Sequence, residues 1–267
     1  MSKSPTAVWF AALVLLGGVA HAEDDQGLYL HIMDITASPA GAGEQPTLRL
    51  VLEGAEEIAN EMSAEGFEVL RFDADSIVLD PTLAVQDAES RAADWRDASF
   101  IVDYLEPSVQ EMIDSQPWSK QSRLPEISDL SASVFDWISD KTYAHGFDFA
   151  STTARSKAGD CTEHALLLAA VARSTGRSAR VVFGLLLIDL DEPQAFGHAW
   201  TEIWTESGWR VVDATEPQRE LAPEQLRYVP LGVIDNEGPG YGIGMLKLGL
   251  RFPKRIEWSR ATQPAMN

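Results

Sequence analysis

The run Gly159-Asp160-Cys161-Thr162-Glu163-His164-Ala165 holds the only cysteine of a 267-residue chain and sets it where a loop gives way to a helix. Downstream, Ala165, Leu166, Leu168, Ala169 and Ala172 recur at helical spacing, and Gly176 stands where a helix of ordinary length stops. Asp160 is then the N-cap. A thiol in the first turn faces unpaired backbone N–H groups and the positive end of the helix dipole, both of which favour thiolate over thiol. Position therefore predicts a nucleophile. The competing identity is a small apolar filler, since free cysteine is among the most buried residue types. A filler belongs on the apolar stripe, however, whereas Cys161 precedes it and follows a Gly-Asp pair suited to a turn.

The length suits one sizeable core, or a core plus a smaller module. Residues 1–22 stand apart from the rest. Lys3 gives a thin positive start, Ala7 to Val19 an apolar stretch, and Ala20-His21-Ala22 a small-x-small cleavage pattern, so a secretory signal peptide is expected. The apolar run is shorter than a membrane span needs. No cysteine follows it closely enough for lipid attachment, and the expected location is exported, either periplasmic or secreted. Removing this segment takes one of the 21 basic side chains and none of the 41 acidic ones. The acidic remainder repels nucleic acid and anionic membrane, so neither is an expected partner. Exported proteins normally use cysteines in pairs, and one cysteine cannot staple its own chain. Catalysis is the stronger reason to keep it, and an intermolecular disulfide is the competitor.

In chain order, residues 23–97 read as a small α+β module: strands near Leu28 to Ile35, Leu48 to Leu52, Phe67 to Phe72 and Ser76 to Leu79, with a helix at Glu56 to Ala64 stopped by Gly66. Asp80 to Asp97 is acidic and alanine-rich, a linker or a surface helix. Phe100 to Ile113 is near-helical but interrupted by Pro107. Leu130, Val134, Trp137 and Ile138 mark a helix that packs on the cysteine helix and ends near Tyr143 to Gly146. Ala179 to Ile188 is a buried strand, and Asp189 to Phe196 a loop. The segments Gly197 to Trp204 and Trp209 to Ala214 then form a hairpin closed at Thr205 to Gly208. Gly238 to Gly242 reads as loop, Leu248 to Ile256 as a last strand or helix edge, and 259–267 as a tail. The second domain is expected over 98–258.

The hairpin supplies partners for the cysteine. If Trp204 pairs with Trp209, His198 lies diagonal to Asp213, and diagonal neighbours across antiparallel strands are roughly 7–8 Å apart, within reach of an imidazole and a carboxylate. A bulge would break this register. A cysteine at a helix start with a histidine and an aspartate on paired strands are the parts of a thiol acyl-transfer site, in which the histidine moves the proton and the aspartate fixes its tautomer. His164, three residues after Cys161, shares its helix face but has no orienting carboxylate, and it is placed beside the groove or on the surface. Cys161-x-x-His164 without a second closely spaced pair is a weak zinc signal. Trp200 lines a substrate groove or packs in the core.

These residues carry a resemblance. Gly159-Asp160-Cys161 with its helix, Gly197-His198-Ala199-Trp200 with Glu202, and Gly208-Trp209 through Asp213-Ala214-Thr215 resemble, in order and spacing, the three motifs of the transglutaminase-like superfamily. The resemblance covers roughly Phe135 to Pro217. It implies an α+β, papain-like core with the nucleophile helix packed on an antiparallel sheet, Cys161 as nucleophile, His198 as base and acid, and Asp213 as orienting residue. It also implies an oxyanion hole made by the cysteine N–H and an upstream aromatic donor, for which Tyr143 is the candidate with Trp137 behind it. The expected activity is thioester formation with a peptide or protein amide, resolved by water rather than by an amine. A protein-glutamine acyltransferase, or a scaffold of the same fold without chemistry, are the alternatives. No metal or organic cofactor is expected, and no twelve-residue calcium loop is present. Oligomeric state is not legible.

Overall fold

Helical and strand periodicities alternate along the chain, and a computed structural model describes residues 31–41, 44–81, 92–141, 147–215 and 225–260. The elements run β1 (His31–Ile32), β2 (Ile35–Pro39), β3 (Thr47–Val51), α1 (Ala55–Ala64), β4 (Arg71–Phe72), β5 (Ser76–Leu79), α2 (Pro107–Ser115), α3 (Ile127–Trp137), α4 (Ala150–Ser156), α5 (Cys161–Ser174), β6 (Ala179–Ile188), β7 (Gln194–Thr205), β8 (Gly208–Val212), β9 (Leu226–Val233), α6 (Tyr241–Gly249) and β10 (Arg255–Arg260). The fold is α+β. The expected signal peptide lies outside the described residues.

Two five-stranded sheets organise the chain. In the first the order is β1-β7-β6-β9, with β8 also on β7; in the second it is β2-β10-β3-β5-β4. The long apolar strand β6 sits inside the first sheet, antiparallel to β7 on one side and β9 on the other. Being flanked on both edges and covered on both faces is why its ten residues are apolar or paired, and all are buried. Adjacent residues go to different cores, as strand alternation requires. Val181 and Ala199 join the cluster around α5, with Leu130, Val134 and Ile138 of the α3 segment. Val182 and Trp200 join Leu48, Leu50, Met62, Ile77 and Trp258 of the second sheet and α1.

The expected boundary at 97/98 does not separate the sheets. Strand β10 lies between β2 and β3, parallel to one and antiparallel to the other, so the sheet of the N-terminal segment takes a member from the chain's far end. The same strand carries order to Arg260, past the expected tail start at 259. Arg251, just before it, reaches the N-terminal helix segment by ion pairs to Glu61 and Glu65. Pro107, read as an interruption, begins α2 at its first turn, where a missing N–H costs nothing. The glycine-rich run from Tyr241 is helical, with Met245 and Leu248 buried.

Between the two layers lies an ion pair, Arg180 with Glu202, directly opposite each other on β6 and β7 and 2.7 Å apart at side chains 3% and 1% exposed. The Arg180 guanidinium lies over the Trp209 ring at 4.4 Å. Burial raises the Glu202 carboxyl above its usual range and Arg180 draws it back.

Gly184 is required by a close approach. A Cβ there would sit 2.1 Å from the Val229 carbonyl oxygen and 2.7 Å from the Trp200 ring. Gly184→Ala should therefore cost about 1–3 kcal/mol of stability by overpacking, read as a lower urea midpoint with unchanged slope; an unchanged midpoint would mean that β9 does not press on β6 at this point.

Candidate active site

Helix α5 enters the interior N-terminus first, and every residue from Cys161 to Arg173 is buried. Its first N–H groups have no intrahelical acceptor and little water, so the chain must supply acceptors. Asp160 Oδ1 accepts the Thr162 N–H at 2.8 Å, and Glu163 Oε2 reaches back to accept the Asp160 N–H at 3.0 Å, a capping box. The other oxygen of Glu163 accepts the Asp148 N–H at 3.0 Å and ties in the incoming loop. Glu163 folds so closely over Gly159 that a Cβ on Gly159 would meet its Cβ at 2.3 Å. The Gly-Asp-Cys-x-Glu pattern is thus a single device: glycine for clearance, two carboxyl groups for the orphan donors, and cysteine at the first helical position.

The second half of the site is on β7. On the edge away from β6, β1 covers Phe196 and Gly197, and β8 covers Thr201 to Thr205. Among the described residues no strand pairs with His198 to Trp200 on that edge, and the backbone of Ala199 hydrogen-bonds to Cys161. The tip of α5 meets the sheet here. Thr201 Oγ1 fixes the approach by donating to the Ala165 carbonyl at 2.8 Å.

The hairpin has the expected register, Trp204 opposite Trp209 and Thr205 opposite Gly208. The ladder stops at the pair of Thr201 and Val212, and the chain then turns so that Asp213 Oδ1 accepts both the N–H and the hydroxyl of Thr215, at 2.9 and 2.7 Å. Its other oxygen, Oδ2, accepts His198 Nε2 at 2.9 Å. The side chains of His198 and Asp213 are 0% and 4% exposed. With Nε2 engaged by the carboxylate, the ring's second nitrogen, Nδ1, is the one placed to exchange a proton with another group.

Cys161, His198 and Asp213 thus come together, with the Asp213 charge acting on the thiol. Tyr143 lies outside the described residues. The Trp137 indole N–H donates to the Ala154 carbonyl at 2.8 Å, which engages the donor that an oxyanion hole would need. Trp200, 1% exposed, is core rather than groove wall; it stacks beside His198 with ring centroids 6.4 Å apart. His164 is neither at the surface nor in a groove: it is fully buried, with Nδ1 donating to the Asp160 carbonyl at 2.6 Å. Sequence reasoning missed Tyr228 on β9, whose hydroxyl donates to Asp213 Oδ2 at 2.8 Å. The strand-forming residues Leu226, Tyr228, Val229, Leu231 and Val233 are the available signal, obscured by Pro230 and Gly232. Among the described residues no group of three or more His, Cys, Asp or Glu is arranged to hold a metal ion, and no helix is long and apolar enough to cross a membrane.

Residues 118–214, from the turn before α3 through the end of the hairpin, match the family described as the transglutaminase-like superfamily. No curated protein matches the chain. Among solved structures the chain is similar to a candidate cysteine protease from Cytophaga hutchinsonii, at 15% identity and a TM-score of 0.44 over 70% of this chain and 76% of that one. It is also similar to the periplasmic domain of TgpA from Pseudomonas aeruginosa bound to ethylmercury, at 20% identity and a TM-score of 0.37 over 58% of this chain and 60% of that one. A TGase shares 14% identity at a TM-score of 0.33, over 70% of this chain and 56% of its own.

The electrostatics of the helix start depart from expectation. Burial pushes the Cys161 thiol well above its usual range, the Asp160, Asp213 and Glu163 charges add to this, and only the Ala199 backbone bond opposes it. Desolvation thus outweighs the favourable end of the helix, and the resting sulfur is a thiol. Burial and the neighbouring Glu163 raise Asp160 from 3.8 to about 8, so it holds a proton at neutral pH. Burial lowers His164 from 6.5 to about 4, and it stays neutral.

These two shifts give a pH signature. Asp160, raised on folding, contributes stability that is complete below its unfolded value and is lost as pH rises through the window up to about 8. His164, depressed on folding, has the opposite slope between about 4 and 6.5. The slopes of these two cancel in the overlap, and above 6.5 only that of Asp160 is left of the pair. Stability should fall there by up to about 1.4 kcal/mol per pH unit. Asp160→Asn should flatten that slope in urea unfolding at pH 6.5 and 8; equal slopes in both proteins would show that Asp160 does not carry the proton.

Proposed function

We propose that the chain is a thiol enzyme that cleaves a peptide or protein amide through a thioester on Cys161. His198 Nδ1 accepts the thiol proton as the sulfur attacks the carbonyl carbon. The S–C bond forms, the C–N bond breaks, and the same proton goes to the departing nitrogen. Water then attacks the thioester, its proton taken by His198, and the carboxylic acid leaves as the thiol is restored. Asp213 holds the ring through Nε2 and stabilises the imidazolium formed at each transfer. The first N–H of α5, on Cys161 itself, is the oxyanion donor in this proposal.

The observation that carries this reading is the pairing of His198 Nε2 with Asp213 at the uncovered stretch of β7, where the backbone of Ala199 bonds to the buried thiol. Because that sulfur rests as a thiol, proton transfer to His198 accompanies attack rather than preceding it. Water is the favoured acceptor, since it needs no binding surface of its own. Export after cleavage of residues 1–22 belongs to the same proposal, and it would explain why a single cysteine is kept buried in an oxidising space.

The test is a partition experiment on the purified chain with casein and a fluorescent primary amine. New amino termini or released ammonia without incorporation of the amine, abolished in Cys161→Ala, is the expected result. Incorporation of the amine would make the enzyme a transferase instead. No reaction across a broad set of proteins and peptides, with an intact thiol, would favour a scaffold of the same fold.

A further inference from the structure

Asp213 Oδ2 receives two donors, His198 Nε2 at 2.9 Å and the Tyr228 hydroxyl at 2.8 Å, while Oδ1 is held twice by Thr215. The carboxylate is therefore fixed at both ends by groups on different parts of the sheet. Thr215 is local to Asp213, two residues along the same turn. Tyr228 comes from β9, which reaches the site across β6, with Tyr228 opposite Leu186. Its ring also touches the other members of the cluster: it is tilted against the His198 ring at 6.3 Å and meets the Trp200 ring edge-on at 5.2 Å. The Trp200 ring lies on the same side of the imidazole, with centroids 6.4 Å apart.

We infer that Tyr228 is a positioning residue for the His198-Asp213 pair, a fourth member of the site that acts through the carboxylate rather than on substrate. Without the phenol, rotation about the Cβ–Cγ bond that takes Oδ2 out of line with the ring is opposed on that oxygen by the imidazole contact itself rather than by an independent anchor. The phenol hydroxyl supplies the second anchor on the oxygen that matters. As a donor, it also opposes protonation of Oδ2, which keeps Asp213 an acceptor when the imidazole becomes charged. Hydrogen bonds to charged acceptors in a dry setting are the strong ones. The titratable groups that meet the pair are Tyr228 on β9, whose hydroxyl donates to Asp213, Cys161 on α5, on which the Asp213 charge acts together with Asp160 and Glu163, and His164 on α5, on which both His198 and Asp213 act. Lys141, after α3, acts on His164, and β6 contributes Gly184 opposite His198.

The consequence for reactivity rests on the thiol-enzyme reading above; the consequence for the ring does not. Two measurements separate them. In the 15N-histidine-labelled chain, assigned against His198→Gln, the imidazole N–H proton of His198 should give a resolved downfield signal that broadens or vanishes in Tyr228→Phe, a variant that keeps the ring and its packing. In parallel, the iodoacetamide alkylation rate of Cys161 should fall about tenfold in Tyr228→Phe, the loss expected for one hydrogen bond to a charged group. It should fall no further when Tyr228→Phe is added to Asp213→Asn, because a residue that acts through Asp213 has nothing left to act on. A merely structural tyrosine would leave the signal in place and lower the rate equally in both backgrounds, and that outcome would overturn the inference. Alkylation insensitive to His198→Ala would remove the thiol-enzyme reading, and the N–H signal alone would then decide the role of Tyr228.

Discussion

Burial of the α5 N-terminus is the constraint from which the rest of the molecule follows. A helix that begins inside a protein brings with it backbone N–H groups that neither the helix nor water can satisfy. Here Asp160 and Glu163 answer them. That solution dictates glycine at 159, because Glu163 needs the space a side chain would fill. It also dictates the state of the sulfur, which sits in a dry place among carboxylates and is held as a thiol. The arrangement that fixes Cys161 in space thus works against its ionisation, so the reaction proposed for it requires a base alongside.

The sheet brings the proposed base there by leaving one stretch of an edge uncovered. Strands β1 and β8 both pair with β7 on the same edge, and the gap between them falls at His198 to Trp200. The backbone of Ala199 reaches Cys161 in that gap, while the neighbouring His198 side chain is locked to Asp213. Strand β7 supplies the histidine, the end of β8 the aspartate, and β9 the tyrosine. Their relative positions depend on the close approach of β6 to β9 at Gly184 and on the Arg180-Glu202 pair between β6 and β7. The second sheet, although it contributes no group to the site, closes the far side of this assembly through Leu48, Leu50 and Trp258.

Local signals were readable in the sequence because local physics produced them. Asp160 as N-cap, the span of α5, the continuous apolar run of β6 and the Trp204-Trp209 register each arise within one element or one hairpin, and from that register the meeting of His198 and Asp213 could be derived. What escaped was non-local. Strand β9 carries Pro230 and Gly232, poor strand formers, yet it is an edge strand, where proline is tolerated. Nothing near Gly184 announces that Val229 will press on it, and nothing in Arg255 to Arg260 says that it will insert between β2 and β3. Pro107 was ambiguous in kind, since the same residue interrupts a helix or starts one. The thiol's ionisation was misjudged because helix position is visible in sequence and burial is not.

The most direct test of the central claim is to trap the acyl-enzyme. The chain is mixed with a peptide ester bearing a good leaving group, quenched in acid within milliseconds to seconds, digested and mapped by mass spectrometry. The account predicts an acyl mass on Cys161 that hydroxylamine removes, and that forms much more slowly in His198→Ala. No adduct on Cys161, or one that forms equally fast without His198, would contradict it.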